Sequence, residues 1–204
     1  MVGWPVGIWW AILPLRIGPG GKSRLVSEPP SRRAALARAF AQDAVSAVAG
    51  CSRIAGIVVV GDAAALEAFG DGLVTIRDSG EGLNAALRSG AAAVPTGAPC
   101  VAVMADLPCL APDVLATALD LADSHSRAFV CDAEGIGTTT LMSRDPERLD
   151  PRFGERSRAA HAASGAIEIT DKGLGRLRRD VDSEVALWDA VRIGVGPATR
   201  AALA

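Results

Sequence analysis

Two textures of apolar sequence alternate along this chain. Unbroken apolar runs at Trp9 to Leu13, Ile54 to Val60 and Val101 to Ala105 predict strands covered on both faces, the pattern of a parallel sheet. Between them the apolar positions recur at helical spacing. Leu36, Phe40, Ala44 and Val48 line one face of a helix that opens at Ser31 and ends at Gly50. Further helices are expected at Ala63 to Phe69, Asn84 to Ala93 and Pro112 to Ala122, where the proline suits a first turn. A short strand, Leu73 to Ile76, separates the first two of these. After Ala122 the alternation loosens into shorter strands, Arg127 to Asp132, Thr139 to Ser143 and Ala166 to Thr170, before a final helix from Ser183 to about Arg192. This order predicts an α/β protein, a three-layer αβα fold around a mostly parallel sheet, with a substrate-binding section in its second half. In such sheets ligands gather at the carboxyl ends of the strands.

A length of 204 residues fits one domain spanning the chain, large enough to bury roughly 70% of its surface. With 50% hydrophobic and 22% charged residues the chain is not disordered, and a net charge of −2 provides no global basic field for nucleic acid. Cys51, Cys100, Cys109 and Cys131 form no CxxC pair and read as reduced, buried thiols of a cytoplasmic protein. The opening MVGWPVGIWWAILPL lacks a positive n-region and a small-residue cleavage site and is too short to span a bilayer, so a buried first strand is expected. His125 and His161 have no metal-ligand spacing and read as surface helix residues. Trp4, Trp9, Trp10 and Trp188 read as core or edge packing, or as an oligomer contact.

Four segments could carry chemistry. Leu13 to Arg24 joins a strand to a Gly-rich loop bearing Arg16, Lys22 and Arg24, a composition that can cradle a polyphosphate with backbone N–H groups and cations. Gly21, Lys22 and Ser23 match the end of a P-loop, but Arg16 stands where that pattern needs its first glycine. Asp106 follows directly on Val101 to Ala105, and the next helical pattern starts only after Leu110, so a metal or ligand role fits better than helix capping. In Asp180-Val181-Asp182 an extended backbone would point both carboxylates to one face, roughly 6.5 Å apart. Like charges that close raise each other's pKa; a divalent cation reverses the penalty, and hard Mg2+ suits carboxylate oxygens. The alternative is an exposed turn in which Asp182 or Ser183 caps the last helix and Arg178 and Arg179 pair with the acids. Both Asp106 and this tripeptide are expected to precede a helix at a strand end. Finally, Gly135 to Thr140 and Pro151 to Ser157 set glycines beside hydroxyls, a pocket suited to a small phosphate or carboxylate.

The stretches ILPLRIGPGGKSRL (12–25), DSGEGLNAAL (78–87), ADLPCL (105–110), GIGTTTL (135–141), PRFG (151–154) and DVDS (180–183) together resemble, in order, one family. It is the guanylyltransferases of coenzyme F-420 biosynthesis, acting on phosphoenolpyruvate or 2-phospho-L-lactate. The resemblance implies a nucleotidyltransferase fold of the nucleotide-diphospho-sugar transferase-like type. It implies that the phosphate of a small phospho-acid attacks the α-phosphorus of GTP and releases pyrophosphate, with Mg2+ as cofactor. On that basis Asp106, Asp180 and Asp182 hold the metal, and Asp106, Lys22 and Arg24 are catalytic. Leu13, Arg16, Lys22, Arg24, Gly82 and Asn84 would bind the nucleotide, and Thr138, Gly154 and Ser157 the acceptor. The nucleotide-binding part would cover residues 8–125 and the acceptor-binding part residues 126–182.

Three positions depart from the family's pattern: Arg16 where many members have Lys, Thr139 where relatives often carry Asn, and Ala160 where a basic residue often precedes the helix His. Arg158 is the nearest substitute for that last charge. A different acceptor such as 3-phosphoglycerate, a related sugar-phosphate or molybdopterin nucleotidyltransferase, and a GTP-binding module without catalysis are the competing readings. GTP and a phospho-acid are the expected partners, with no nucleic acid and no membrane. A homodimer edge before Trp9 and coupling to the next enzyme of the pathway are the remaining partner assignments.

Overall fold

A computed structural model describes residues 8–15 and 29–204. Its first half runs β1 (Trp9–Leu15), α1 (Pro30–Ala49), β2 (Ile54–Gly61), α2 (Ala63–Phe69), β3 (Val74–Arg77), α3 (Leu83–Ala92), β4 (Cys100–Val103) and α4 (Pro112–Ala122). Its second half runs β5 (Arg127–Cys131), β6 (Thr138–Ser143), α5 (Ser157–Ala163), β7 (Ile167–Glu168), α6 (Gly175–Arg178), α7 (Glu184–Ile193) and α8 (Pro197–Leu203). The strands form one seven-stranded sheet in the order β3-β2-β1-β4-β6-β5-β7.

Alternation along β1 builds the three layers. Trp9, Ala11, Leu13 and Leu15 pack with Val48 of α1 and with Leu115 and Leu119 of α4, while Ile12 packs on the other side with Ala86, Leu87 and Ala91 of α3. Successive strand side chains point to opposite faces, so an unbroken apolar run supplies both layers at once. A third cluster, Leu36 and Phe40 of α1 with Cys109, Val181, Leu187 and Ala190, binds α7 to the rest.

Strand direction decides where the site lies. β1 pairs in parallel with β2 and β4, and β2 with β3. β6 is antiparallel to both β4 and β5, so β5 again runs with β4. The amino end of the reversed β6 therefore lies at the same edge as the carboxyl ends of β1, β4 and β5. Thr138 opens β6 there, while Asp106 and Asp132 lie just beyond β4 and β5.

Several expectations need correction. The helix after Ser183 is not the last: α8 follows, tied to α1 by the buried Asp43 carboxylate, which accepts from the Ala198 and Thr199 N–H groups at 2.9 Å. The strand expected at Ala166 to Thr170 shrinks to the two residues of β7. His125 lies in the bend after α4 rather than on it, and Trp188, 66% exposed on α7, sheds the core alternative among its readings. All four cysteines are buried and free, as the sequence leads one to expect. Among the described residues no helix is long and apolar enough to cross a membrane.

Candidate active site

A cleft of about 820 Å³ opens at this edge, lined among others by Asp106, Asp132, Thr138, Gly154, Ser157, Asp180 and Asp182. Beside it a smaller pocket of about 250 Å³ shares Leu83, Met104 and Asp106 and adds Pro14, Leu15 and Asp78. Carboxylate oxygens of Asp106, Asp180 and Asp182 lie within 4.8 Å of one another. The residues that bring them together are apolar. Val181 is fully buried in the third cluster, and its N–H donates to the Asp106 carbonyl at 3.1 Å. With the valine held inward, the aspartates on either side converge on Asp106. The tripeptide does not follow a strand, contrary to expectation; it joins α6 to α7. Ser183, not Asp182, caps α7, its hydroxyl accepting from the Ala186 N–H. Arg178 donates to the Asp132 carbonyl and Arg179 pairs with Asp189.

Three carboxylates at this spacing repel. Burial first, then the charges of Asp106, Asp182 and Asp132, push the Asp180 carboxyl up to about 7. A donor set of oxygens alone, carrying the like charges of three acids, fits a hard divalent cation and suits nothing softer.

The other side of the cleft rests on side chains that hold backbone. Asp132, which the sequence reading passed over, accepts from the N–H groups of Ile136 at 2.9 Å and Gly137 at 2.7 Å. A Cβ on Gly137 would fall 2.5 Å from the Asp132 carboxylate, so any other residue there would displace the side chain that holds this turn. This turn delivers Thr138. The signal for Asp132 was present, since it follows an apolar run just as Asp106 does.

Across from it, the loop carrying Gly154 is bounded by two left-handed residues, Asp150 (φ 44°) and Arg156 (φ 57°), and Gly154 itself has φ 140°. Such conformations persist where surrounding bonds over-determine them. Here Arg127 donates to the Leu149 and Asp150 carbonyls. Asn84, at the start of α3, clamps Phe153 from both ends of its amide, donating to the carbonyl at 2.9 Å and accepting from the N–H at 2.8 Å.

His161 is a correction: it is fully buried, not a surface residue, and lies one helical turn beyond the buried Ser157. Arg158 points elsewhere, pairing with Glu168 at 2.9 Å and donating to the Gly135 carbonyl.

The structure thus brings Asp106, Asp180, Asp182, Thr138, Gly154 and Ser157 to one cleft. Gly82, with φ 100°, caps α3, where Asn84 also lies. The side chain of Leu13 is in the core. Arg16, Lys22 and Arg24 lie outside the described residues, as do Trp4 and the apolar stretch before Ile8.

The family of the MobA-like NTP transferase domain matches residues 21–172. A phosphoenolpyruvate guanylyltransferase from Streptomyces coelicolor is 43% identical over 96% of this chain and 96% of its own length. Another of that name, from Thermomonospora curvata, is 40% identical over 95% of this chain and 87% of its own. Among solved structures, one assigned as a nucleotide-diphospho-sugar transferase from Desulfovibrio desulfuricans G20 superposes with a TM-score of 0.65 at 19% identity. That likeness covers 85% of this chain and 82% of that one and establishes the shared fold.

Proposed function

This chain belongs to the phosphoenolpyruvate guanylyltransferase family within the MobA-like NTP transferases, and from that membership we propose that it transfers GMP from GTP to phosphoenolpyruvate in coenzyme F-420 biosynthesis, releasing pyrophosphate and depending on Mg2+. One observation carries the reading: the three converging carboxylates line the same cleft as Thr138, Gly154 and Ser157. A site for a cation beside a site for a small anion is what this chemistry requires.

In the reaction an oxygen of the acceptor phosphate forms a bond to the α-phosphorus of GTP, and the bond from that phosphorus to the β-phosphate's bridging oxygen breaks. No side-chain nucleophile is needed, because the attacking phosphate is already an anion. Asp106, Asp180 and Asp182 would hold Mg2+, which would supply positive charge where charge builds on the triphosphate. Thr138, Ser157 and the backbone at Gly154 hold the acceptor. Gly82 and Asn84 belong to the nucleotide side, with the backbone at Leu13 and with Arg16, Lys22 and Arg24 as further nucleotide ligands. On this division residues 8–125 serve GTP and residues 126–182 the acceptor. Catalysis is then positioning plus electrostatics.

The test is pyrophosphate release from Mg2+-GTP with phosphoenolpyruvate, 2-phospho-L-lactate or 3-phosphoglycerate in parallel, in the presence of an enzyme that consumes the guanylated product. Release with phosphoenolpyruvate is expected. Release only with another acceptor reassigns the substrate, and silence with all three while GTP still binds overturns the reading.

A further inference from the structure

Behind Thr138, which lines the cleft, lies a buried titratable side chain that has no role in the scheme above. His161 is 0% exposed and lies between two aromatic rings, with Phe153 edge-on at 5.0 Å and Phe129 tilted at 5.8 Å between centroids. Both ring nitrogens are engaged. Nε2 lies 3.0 Å from the backbone nitrogen of Arg152, and Nδ1 lies 2.9 Å from Thr138 Oγ1.

The first contact decides the second. A backbone N–H can only donate, so Nε2 must be the bare, accepting nitrogen. Burial, with Arg127 and Arg152 nearby and Asp150 opposing them, pushes the ring's pKa down to about 4, so the imidazole is neutral near pH 7. A neutral ring with a bare Nε2 carries its proton on Nδ1. Nδ1–H therefore donates to Thr138, and the threonine oxygen accepts.

The threonine's own proton must then point elsewhere. Among the described residues no other partner for that hydroxyl is found, and Thr138 lines the cleft beside Gly154 and Ser157. We propose that His161 is a positioning residue, which holds the Thr138 hydroxyl as a hydrogen-bond donor toward the anionic group of the acceptor. With the opposite tautomer the hydroxyl would donate to the ring and turn a lone pair toward that anion. The same ring grips Arg152, two residues before Gly154, so one side chain orients both a hydroxyl and the loop of the acceptor site. The identity of the acceptor rests on the function proposed above; the orientation of the hydroxyl does not.

Two substitutions separate the ring's two bonds. In His161→Asn the amide N–H stands in for Nδ1–H and keeps the donor to Thr138. In His161→Gln the longer side chain stands in for Nε2, accepting from Arg152 and leaving Thr138 without its donor. The acceptor KM is expected to rise about tenfold or more in the Gln variant and about threefold or less in the Asn variant, with GTP KM unchanged in both.

Thermal midpoints of both variants report on folding, and 15N NMR of the wild-type imidazole, free of any substitution, reads the tautomer directly. A proton on Nδ1 supports the proposal. A proton on Nε2, or equal effects on acceptor KM from the two variants, overturns it. Silence of the wild type with every acceptor marks failure of the proposed function, and the tautomer in the free protein then decides this proposal alone.

Discussion

The two ends of the cleft are held by opposite kinds of force. At one end Asp106, Asp180 and Asp182 converge although burial and like charge resist it, and both, burial first, raise the pKa of Asp180. What overcomes the repulsion is a buried valine and one backbone hydrogen bond between Val181 and Asp106. At the other end Asp132 and His161 each accept from backbone N–H groups around Thr138 and Gly154, and Asn84 reaches from the nucleotide side to hold the Phe153 backbone. The first end carries like charges that a cation would relieve; the second is organised before any ligand arrives. A single site can therefore combine a part whose stability depends on what it binds with a part whose shape does not.

The sharpest way to break this contrast is to remove a charge. Asp106→Ala is expected to lower turnover about a hundredfold or more, since loss of one charge-stabilising group costs roughly 3 kcal/mol in the transition state. Near-normal turnover would take Asp106 out of the mechanism.

Acid probes the opposite end. The folded-state pKa of His161 is about 4, against an ordinary value of 6.5. Between those values the unfolded chain binds a proton that the folded chain refuses. The contribution is thus fully present above pH 6.5 and is lost as the pH falls toward 4, on the order of 3 kcal/mol in all. Urea unfolding of the wild type and His161→Asn across that range isolates it: the wild type should show the steeper loss, and parallel curves would contradict the assignment.

A divalent cation should act at the carboxylate end alone. Mg2+ at a hundred times its dissociation constant contributes about 2.7 kcal/mol, which raises the melting temperature by several degrees. In Asp180→Asn the rise should shrink, while in Ser157→Ala it should persist. Equal shifts in both would erase the distinction between the two ends. The smallest effect is expected from Ser157→Ala itself, a several-fold rise in acceptor KM from one lost hydrogen bond of about 1 kcal/mol, with GTP KM unchanged. An unchanged acceptor KM would remove Ser157 from the pocket.

Much of the fold was legible because its elements are locally determined. The helices at Ala63–Phe69 and Pro112–Ala122 match the expected bounds, and the runs behind β1, β2 and β4 are buried on both faces. α8 escaped notice because its PATRAAL carries little periodicity; it is held by Asp43, far away in sequence. Asp132 ends an apolar run as Asp106 does, so its place at the site was legible, but its bonds to the Ile136 and Gly137 N–H groups were not. His161 escaped for a physical reason. A lone histidine on a short Ala-rich helix looks exposed, and only packing against Phe129 and Phe153 turns it inward.

By itself the sequence determined the alternation of strands and helices, the residue types able to bind a cation and a small anion, and their place next to turns. Those follow from periodicity, from glycine and proline, and from the chemistry of single side chains. The tertiary structure alone decided that the Asp180–Asp182 segment meets Asp106, that β6 runs backward to bring Thr138 to the same edge, and that His161 closes the distance to Thr138. Local patterning says which face of an element is apolar. Which faces meet is settled by the packing of the whole core, and these polar contacts form only once that packing is complete.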